Sequence, residues 1–417
     1  MKVNKRSIVA FGAMAAVSSL TLVGCAGGGG DADNGGDAAE SAGSITVWVD
    51  ADRAGVLEEA AADFTADSGV EVELVQKEFG DIRDQFVQQV PTGEGPDIAV
   101  GAHDWLGVLV TNGVVAPVEL GDAAGDFEEV AIDAWSYEGQ TYGVPYAIEN
   151  IALLRNTDLV PEAPTSYDDM IAKGQAAGTE YPFLVGLDPE AADPYHLYPF
   201  QTSFGAPVFG TNDDGSYNAD DLQIGNEGGQ AFATWLASQG ATGTGVFNTN
   251  ITGELATENF TSGASPFYLT GPWNVPAAVD AGINIAVDPI PSAGGGEAQP
   301  FAGVQGFFLS SESENRLAAN EFLINYIGSE EVQTALYEVG GRAPALTAAF
   351  DAAVAADPIT AGFGEVGANA VPMPSIPEMG AVWQFWGVTE AAIINGQGGD
   401  PVELWNKMAA DIQAEIQ

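Results

Sequence analysis

Apolar and polar positions alternate or recur along most of this 417-residue chain. Ser44 to Asp50 (SITVWVD) is rich in β-branched and aromatic residues and predicts a strand. Leu57, Ala61 and Phe64 recur at helical spacing, so Gly55 to Ser68 predicts a helix ended by Gly69. Val70, Val72 and Leu74 alternate with Glu71 and Glu73, the pattern of a half-exposed strand over Val70 to Val75. A helix from Asp81 to Val90 and a short strand from Asp97 to Val100 follow. This β-α-β-α-β order predicts mostly parallel sheets flanked by helices. Further strands are expected at Tyr181 to Leu187, Pro266 to Leu269, Asn284 to Val287 and Val304 to Leu309. Helices are expected at Tyr167 to Ala177, Gly228 to Gln239, Gly253 to Thr261, Glu314 to Ile327 and Glu330 to Val339. Two more close the chain, the last opened by a capping Asp400, Pro401 at the first helical position and Glu403. No Pro-, Gly- and Ser-rich linker divides the body after Gly43, so any two lobes share crossing strands.

The amino terminus breaks this pattern. Lys2, Lys5 and Arg6 precede the apolar stretch Ile8 to Leu22, which is too short and too rich in small residues for a spanning helix. Residues 1–24 therefore read as a signal peptide. Leu22-Val23-Gly24-Cys25 resembles the bacterial lipobox, and the only cysteine of the chain stands at the position that lipid attachment requires. Residues 26–43 lack aromatic and β-branched side chains and read as a tether spanning roughly 20–25 Å. The body is thus expected outside the cell membrane, anchored by lipid at Cys25.

Composition removes whole classes of function. The three bases before Cys25 leave the other 8 of the 11 Lys and Arg against all 59 acids. Such a surface repels phosphates and anionic lipid, which excludes nucleic acid as a partner. One cysteine and two distant histidines rule out a disulfide framework and disfavour a zinc site. His103 and His196 are read as structural. There is no Walker A loop and no G-x-S-x-G elbow. Asp31 and Asp33 begin like a calcium loop, but Gly35 and Ala42 stand where ligands are needed. Gly362-Phe363-Gly364-Glu365-Val366-Gly367 matches G-x-G-x-x-G literally, yet it follows an Ala-rich helical stretch instead of a strand. No cofactor or metal is expected. With 59 carboxylates, a glycosidase-like pair carries no weight by itself.

Several blocks, in order, resemble the maltose and maltodextrin-binding proteins of ABC sugar importers. They are Ile45 to Arg53 (ITVWVDADR), Thr92 to Ile98 (TGEGPDI), Ala102-His103-Asp104 and Asp193-Pro194-Tyr195. Gly271-Pro272-Trp273, Pro300 to Gly303 (PFAG) and Ile376 to Met379 (IPEM) complete the set. The T-G-x-G-P-D block is common to many solute-binding proteins, whereas A-H-D, D-P-Y and G-P-W together narrow the resemblance to maltodextrin-type sugars. It runs from Ser44 to Gln417.

The resemblance implies a two-lobed α/β fold with hinge crossings, a first lobe of residues 44–148 plus 302–350 and a second of 149–301 plus 351–417. It implies a non-catalytic monomer that binds a neutral oligosaccharide and delivers it to a membrane permease. The hydrogen-bonding set it implies is Asp52, Arg53, Asp104, Glu149 and Asp193, the stacking set is Tyr195, Trp273 and Trp383, and Ala102 and Trp105 complete the ten residues of the binding set. Chemically this fits, because sugar hydroxyls suit carboxylates and Arg while their C–H faces suit aromatic rings. Two departures stand out. Gly101, just before Ala102, takes the place of a stacking tryptophan, and Trp105 takes that of an arginine, as though an aromatic had moved across the cleft. Trp48, Trp135, Trp235 and Trp405 lie in periodic runs and are assigned to the core. The competing classes are the same fold binding another disaccharide or polar solute, and a lipid-anchored glycoside hydrolase.

Overall fold

The computed structural model describes residues 43–212 and 216–417; the signal stretch, Cys25, the Asp31–Asp33 segment and the tether up to residue 42 lie outside them. Strand Ser44–Val49 buries Ile45, Val47 and Val49 and pairs in parallel with Glu71–Gln76 on one side and Ile98–Ala102 on the other. Between the first two runs helix Ala51–Ser68, four residues longer at its start than the apolar spacing predicts. Asp50 is the reason: its carboxylate accepts the Arg53 N–H as an N-cap, and Gly69 ends the helix in the left-handed region. The long strand Phe301–Ser310 then adds antiparallel to Ile98–Ala102 and to Gly143–Asn150, with Ala343–Pro344 at the edge.

A second, four-stranded sheet has the order Ile285–Asp288, Ala152–Asn156, Phe267–Thr270, Leu184–Val185. Its first two pairings are antiparallel and its third parallel. The α/β class holds, but the ladders are mixed instead of mostly parallel, because strands return from one sheet to the other instead of each following its own crossover helix. The run expected from Tyr181 shrinks to Leu184–Val185, since Pro182 cannot donate to a ladder. The helix expected over Glu314 to Ile327 is helical from Arg316 to Glu321 and then continues as a π-helical turn, Phe322–Ile327.

One core gathers Ile45 through Ala147 with Val304 through Ala349, and two others gather Ile151 through Phe301 with Phe363 through Ile412. The chain therefore passes from the first core to the others between Ala147 and Ile151, back between Phe301 and Val304, and over again between Ala349 and Phe363. Trp48, Trp135 and Trp405 are buried, and Trp235 packs half-buried against the second core. The G-x-G-x-x-G glycines lie inside helix Pro358–Gly367, so no strand-to-helix phosphate loop exists there.

Candidate functional site

A cleft of about 500 Å³ opens between the lobes. The first lobe contributes Ala102 from the end of strand Ile98–Ala102, and Asp104 and Trp105 from the single 3₁₀ turn that follows. Gly101 makes this turn possible in its present form, because a Cβ there would stand 2.6 Å from the Trp105 ring. The ring also packs at 5.1 Å from Phe79. The glycine and the tryptophan thus depend on one another. Glu149 enters from the strand that crosses between the lobes.

The second lobe contributes Asp193, Tyr195, Trp273 and Trp383. Asp193 caps helix Pro194–Ser203 by accepting the His196 N–H at 3.1 Å, with Pro194 at the first position. That cap fixes Tyr195 one residue into the helix. Tyr195 lies 6.4 Å from Trp273 and 6.2 Å from Phe301, the latter nearly parallel. Trp273 rests on Gly271, whose hypothetical Cβ would lie 2.0 Å from the ring. Trp383 stacks on the buried Trp386 at 5.4 Å and donates its Nε1–H to Asp104 Oδ2 at 3.1 Å, across the cleft.

Eight of the ten residues expected in a binding set line this cleft; Asp52 and Arg53 do not. Asp52 is exposed in the first turn of its helix. Arg53 is turned inward, with its guanidinium committed to Asp50 and to the Tyr146 hydroxyl. The sequence blocks do not point to Phe79, Gly80, Arg83, Gln305, Arg342 and Met373, which also line it. Arg342 matters most. Its Nε donates to Glu149 Oε2 at 2.7 Å, and its guanidinium carbon lies 5.1 Å from the centre of the Trp273 ring. Burial works against its charge, but Glu149, Tyr146 and Asp52 together outweigh burial, so it stays firmly protonated. A chain with 11 bases offers few candidates, and an arginine in the Gly340-Gly341-Arg342-Ala343-Pro344 turn is the signal that was there to read.

Electrostatics in the cleft favour a ligand that donates hydrogen bonds. Glu149 Oε1 accepts from Gln305 Nε2 at 2.8 Å, leaving Gln305 Oε1 buried and unpartnered among the described residues. Asp104 Oδ1 and the Tyr195 hydroxyl are likewise buried with no partner among them. Burial pushes the Asp104 carboxyl up to about 6, with Arg83 and the Trp383 N–H pulling the other way. Burial, then Glu149 and Asp193, push the Tyr195 phenol far above its usual range, so it remains a neutral donor and acceptor. His103 sits behind the wall as a pin: Val304 N–H donates to Nδ1 and Nε2–H donates to Met373 O, each at 3.1 Å. Burial lowers it to about 4, and it stays neutral. Two smaller cavities, of about 270 and 210 Å³, lie near Pro272 and Gly341 and are lined largely by apolar side chains.

The model of the bacterial extracellular solute-binding protein family matches residues 59–362. A galactooligosaccharide-binding protein of Bacillus subtilis (strain 168) is 28% identical over 100% of this chain and 99% of its own length. A maltooligosaccharide ABC transporter solute-binding lipoprotein of Streptococcus pneumoniae R6 is 28% identical over 88% of this chain and 87% of its own. Among solved structures, the maltotriose-binding protein of Thermus thermophilus bound with maltotriose superposes with a TM-score of 0.81 at 29% identity, covering 89% of this chain and all of that one. By sequence, fold and the placement of its cleft, this chain belongs to the bacterial extracellular solute-binding proteins.

Proposed function

We propose that this protein is a lipid-anchored receptor that binds a neutral oligosaccharide of the maltodextrin class between its lobes and delivers it to an ABC transporter permease. The observation that carries the reading is the set of three buried, unpartnered oxygens on Asp104, Tyr195 and Gln305, framed by the rings of Trp105, Tyr195, Trp273 and Trp383. Each such oxygen costs about 1–3 kcal/mol until something donates to it. Sugar hydroxyls donate, and the ring faces cover the C–H surfaces between them. An anionic ligand would instead meet Asp104, Glu149 and Asp193. Relatives named for maltooligosaccharide and maltotriose support the sugar class. A second reading, a galactooligosaccharide, is favoured by the relative that aligns along the whole chain.

In this reading residues 44–148 plus 302–350 and residues 149–301 plus 351–417 move as lobes, and the ligand favours closure because only the closed form satisfies both halves of its surface. Asp104 and Glu149 position sugar and do not hydrolyse it; the protein acts as a monomer, without cofactor. Residues 1–24 are removed, Cys25 carries lipid, and residues 26–43 tether the body outside the cell membrane.

A thermal-shift series with maltose, maltotriose, maltotetraose and a galactooligosaccharide tests the sugar class. Ligand at a hundred times Kd adds about 2.7 kcal/mol of stability. A flat series removes the proposal, and new reducing ends on incubation with maltodextrin would make the protein a hydrolase. Cys25→Ser is expected to bind sugar normally while losing fatty-acid labelling; labelling that persists in the variant rules out the anchor.

A further inference from the structure

Beside the cleft lies a second cavity of about 240 Å³, lined entirely by second-lobe residues. It shares Asp193 and Trp273 with the cleft, so these two residues line both cavities. On the cleft side Arg342 covers Trp273 at 5.1 Å; on the other side the His196 ring meets it edge-on at 5.9 Å. His196 lines only the second cavity. Its Nδ1 is bound to Asp193 Oδ2 at 2.7 Å, which leaves Nε2 with no hydrogen bond among the described residues. Asp188, on the same wall, uses Oδ1 to accept the N–H groups of Glu190 and Ala191 at 2.8 Å each, and Oδ2 accepts from nothing described. Gly253, at the start of helix Gly253–Thr261, is the open part of the wall: nothing lies within 4 Å of where its Cβ would be.

From this geometry we propose that the second cavity is an extension subsite, which takes one further hydroxyl-bearing ring of the same oligosaccharide where the chain passes Trp273. The inference rests on the sugar reading above. With Nδ1 bound to Asp193, His196 leaves Nε2 open to a hydroxyl, and Asp188 Oδ2 is an acceptor on the same wall. An open ring nitrogen and the carboxylates of Asp188 and Asp193 suit a hydroxyl-rich neutral ring and repel an anion. A ligand confined to the cleft would leave them unused, and one longer by a ring would reach them without leaving the Trp273 edge. The protein would therefore select by chain length.

Calorimetry with linear maltooligosaccharides from disaccharide to heptasaccharide, and with a galactooligosaccharide series, reads this directly. One step in the series is expected to gain about tenfold in affinity, the size of one or two net hydrogen bonds. Gly253→Leu, which fills the open wall, should abolish that step and leave the shorter members binding as in wild type; Gly253→Ala should keep it. Asp188→Asn, which retains the turn-making Oδ1, should weaken only the longer members. Melting temperatures of the variants establish that they fold. A chain-length profile unchanged by both Gly253→Leu and Asp188→Asn overturns the subsite while leaving the sugar reading intact, as does a loss equal at every length. No binding by any member of either series overturns both.

Discussion

Asp104 is the residue on which the chemistry of the cleft turns. A sugar hydroxyl that donates to Oδ1 favours the ionised carboxylate, and burial holds this group up at about 6. Sugar affinity is therefore expected to fall as pH is lowered through 6, and Asp104→Asn should flatten the profile. Calorimetry across pH 5 to 8 measures it. The stability of the free protein should carry the opposite sign from this group. Its folded value lies above the unfolded one of about 4, so stabilisation present at acid pH is lost as pH rises from about 4 to 6. Trp273 and Trp383 are half-buried, unlike the core tryptophans. A stacked ring that buries ~60–100 Å² is worth roughly 1.5–2.5 kcal/mol. Trp273→Ala and Trp383→Ala should thus bind about ten- to seventyfold more weakly and still fold. A core truncation would instead cost about 3–5 kcal/mol of stability. Titration beside chemical denaturation separates the two, and unchanged affinity with lost stability would return both rings to the core.

At the scale of elements, the cleft is built from helix starts and strand ends, where backbone geometry aims side chains into the space between sheets. The Asp-Pro signature opens three helices here, at Asp193-Pro194, Asp357-Pro358 and Asp400-Pro401. Only the last was legible as a helix start; Pro199 and a run of aromatic residues disguise the first. The same start signal marks the two that were missed. Gly271 does comparable work for Trp273. Its backbone, with φ of −96°, would accept a side chain, but the ring occupies the space. Gly271→Ala is expected to push Trp273 off its seat and weaken sugar binding about as much as Trp273→Ala does. Trp fluorescence with and without ligand would report the change; an alanine variant with wild-type affinity would mean the ring has room to shift.

For the whole molecule, net charge is the dominant fact. With 59 acids against 11 bases, like-charge repulsion opposes compaction at low ionic strength. Salt screens exposed charges beyond about 10 Å at 0.1 M. The melting temperature should accordingly rise between low and molar sodium chloride, and a flat or falling curve would contradict this. Ion pairs that bind distant parts of the body are buried and few: Arg155 holds Asp288 across the second sheet, and Arg342 holds Glu149 at the crossing strand. Scarce arginines are thus spent where the sheets and lobes meet.

What the sequence determined by itself was local or carried by ordered motifs. Periodicity marked helices such as Tyr167–Ala177 and Gly253–Thr261 to the residue, since their caps and apolar spacing are written within one stretch. Motif blocks pointed to the fold and held five of the eight expected residues that line the cleft, because each block keeps its side chains together on one turn; Trp105, Glu149 and Trp383 came with the resemblance as a whole. The tertiary structure alone decided what depends on distant partners. It turned Arg53 inward to Asp50 and Tyr146, brought Arg342 and Gln305 to Glu149, and joined Trp383 to Asp104 across 279 positions. It also made the sheets mixed, since strand direction follows from which strand returns beside which. Burial and partnership set both the charge state of Asp104 and the direction in which an arginine points, and no window of sequence contains them.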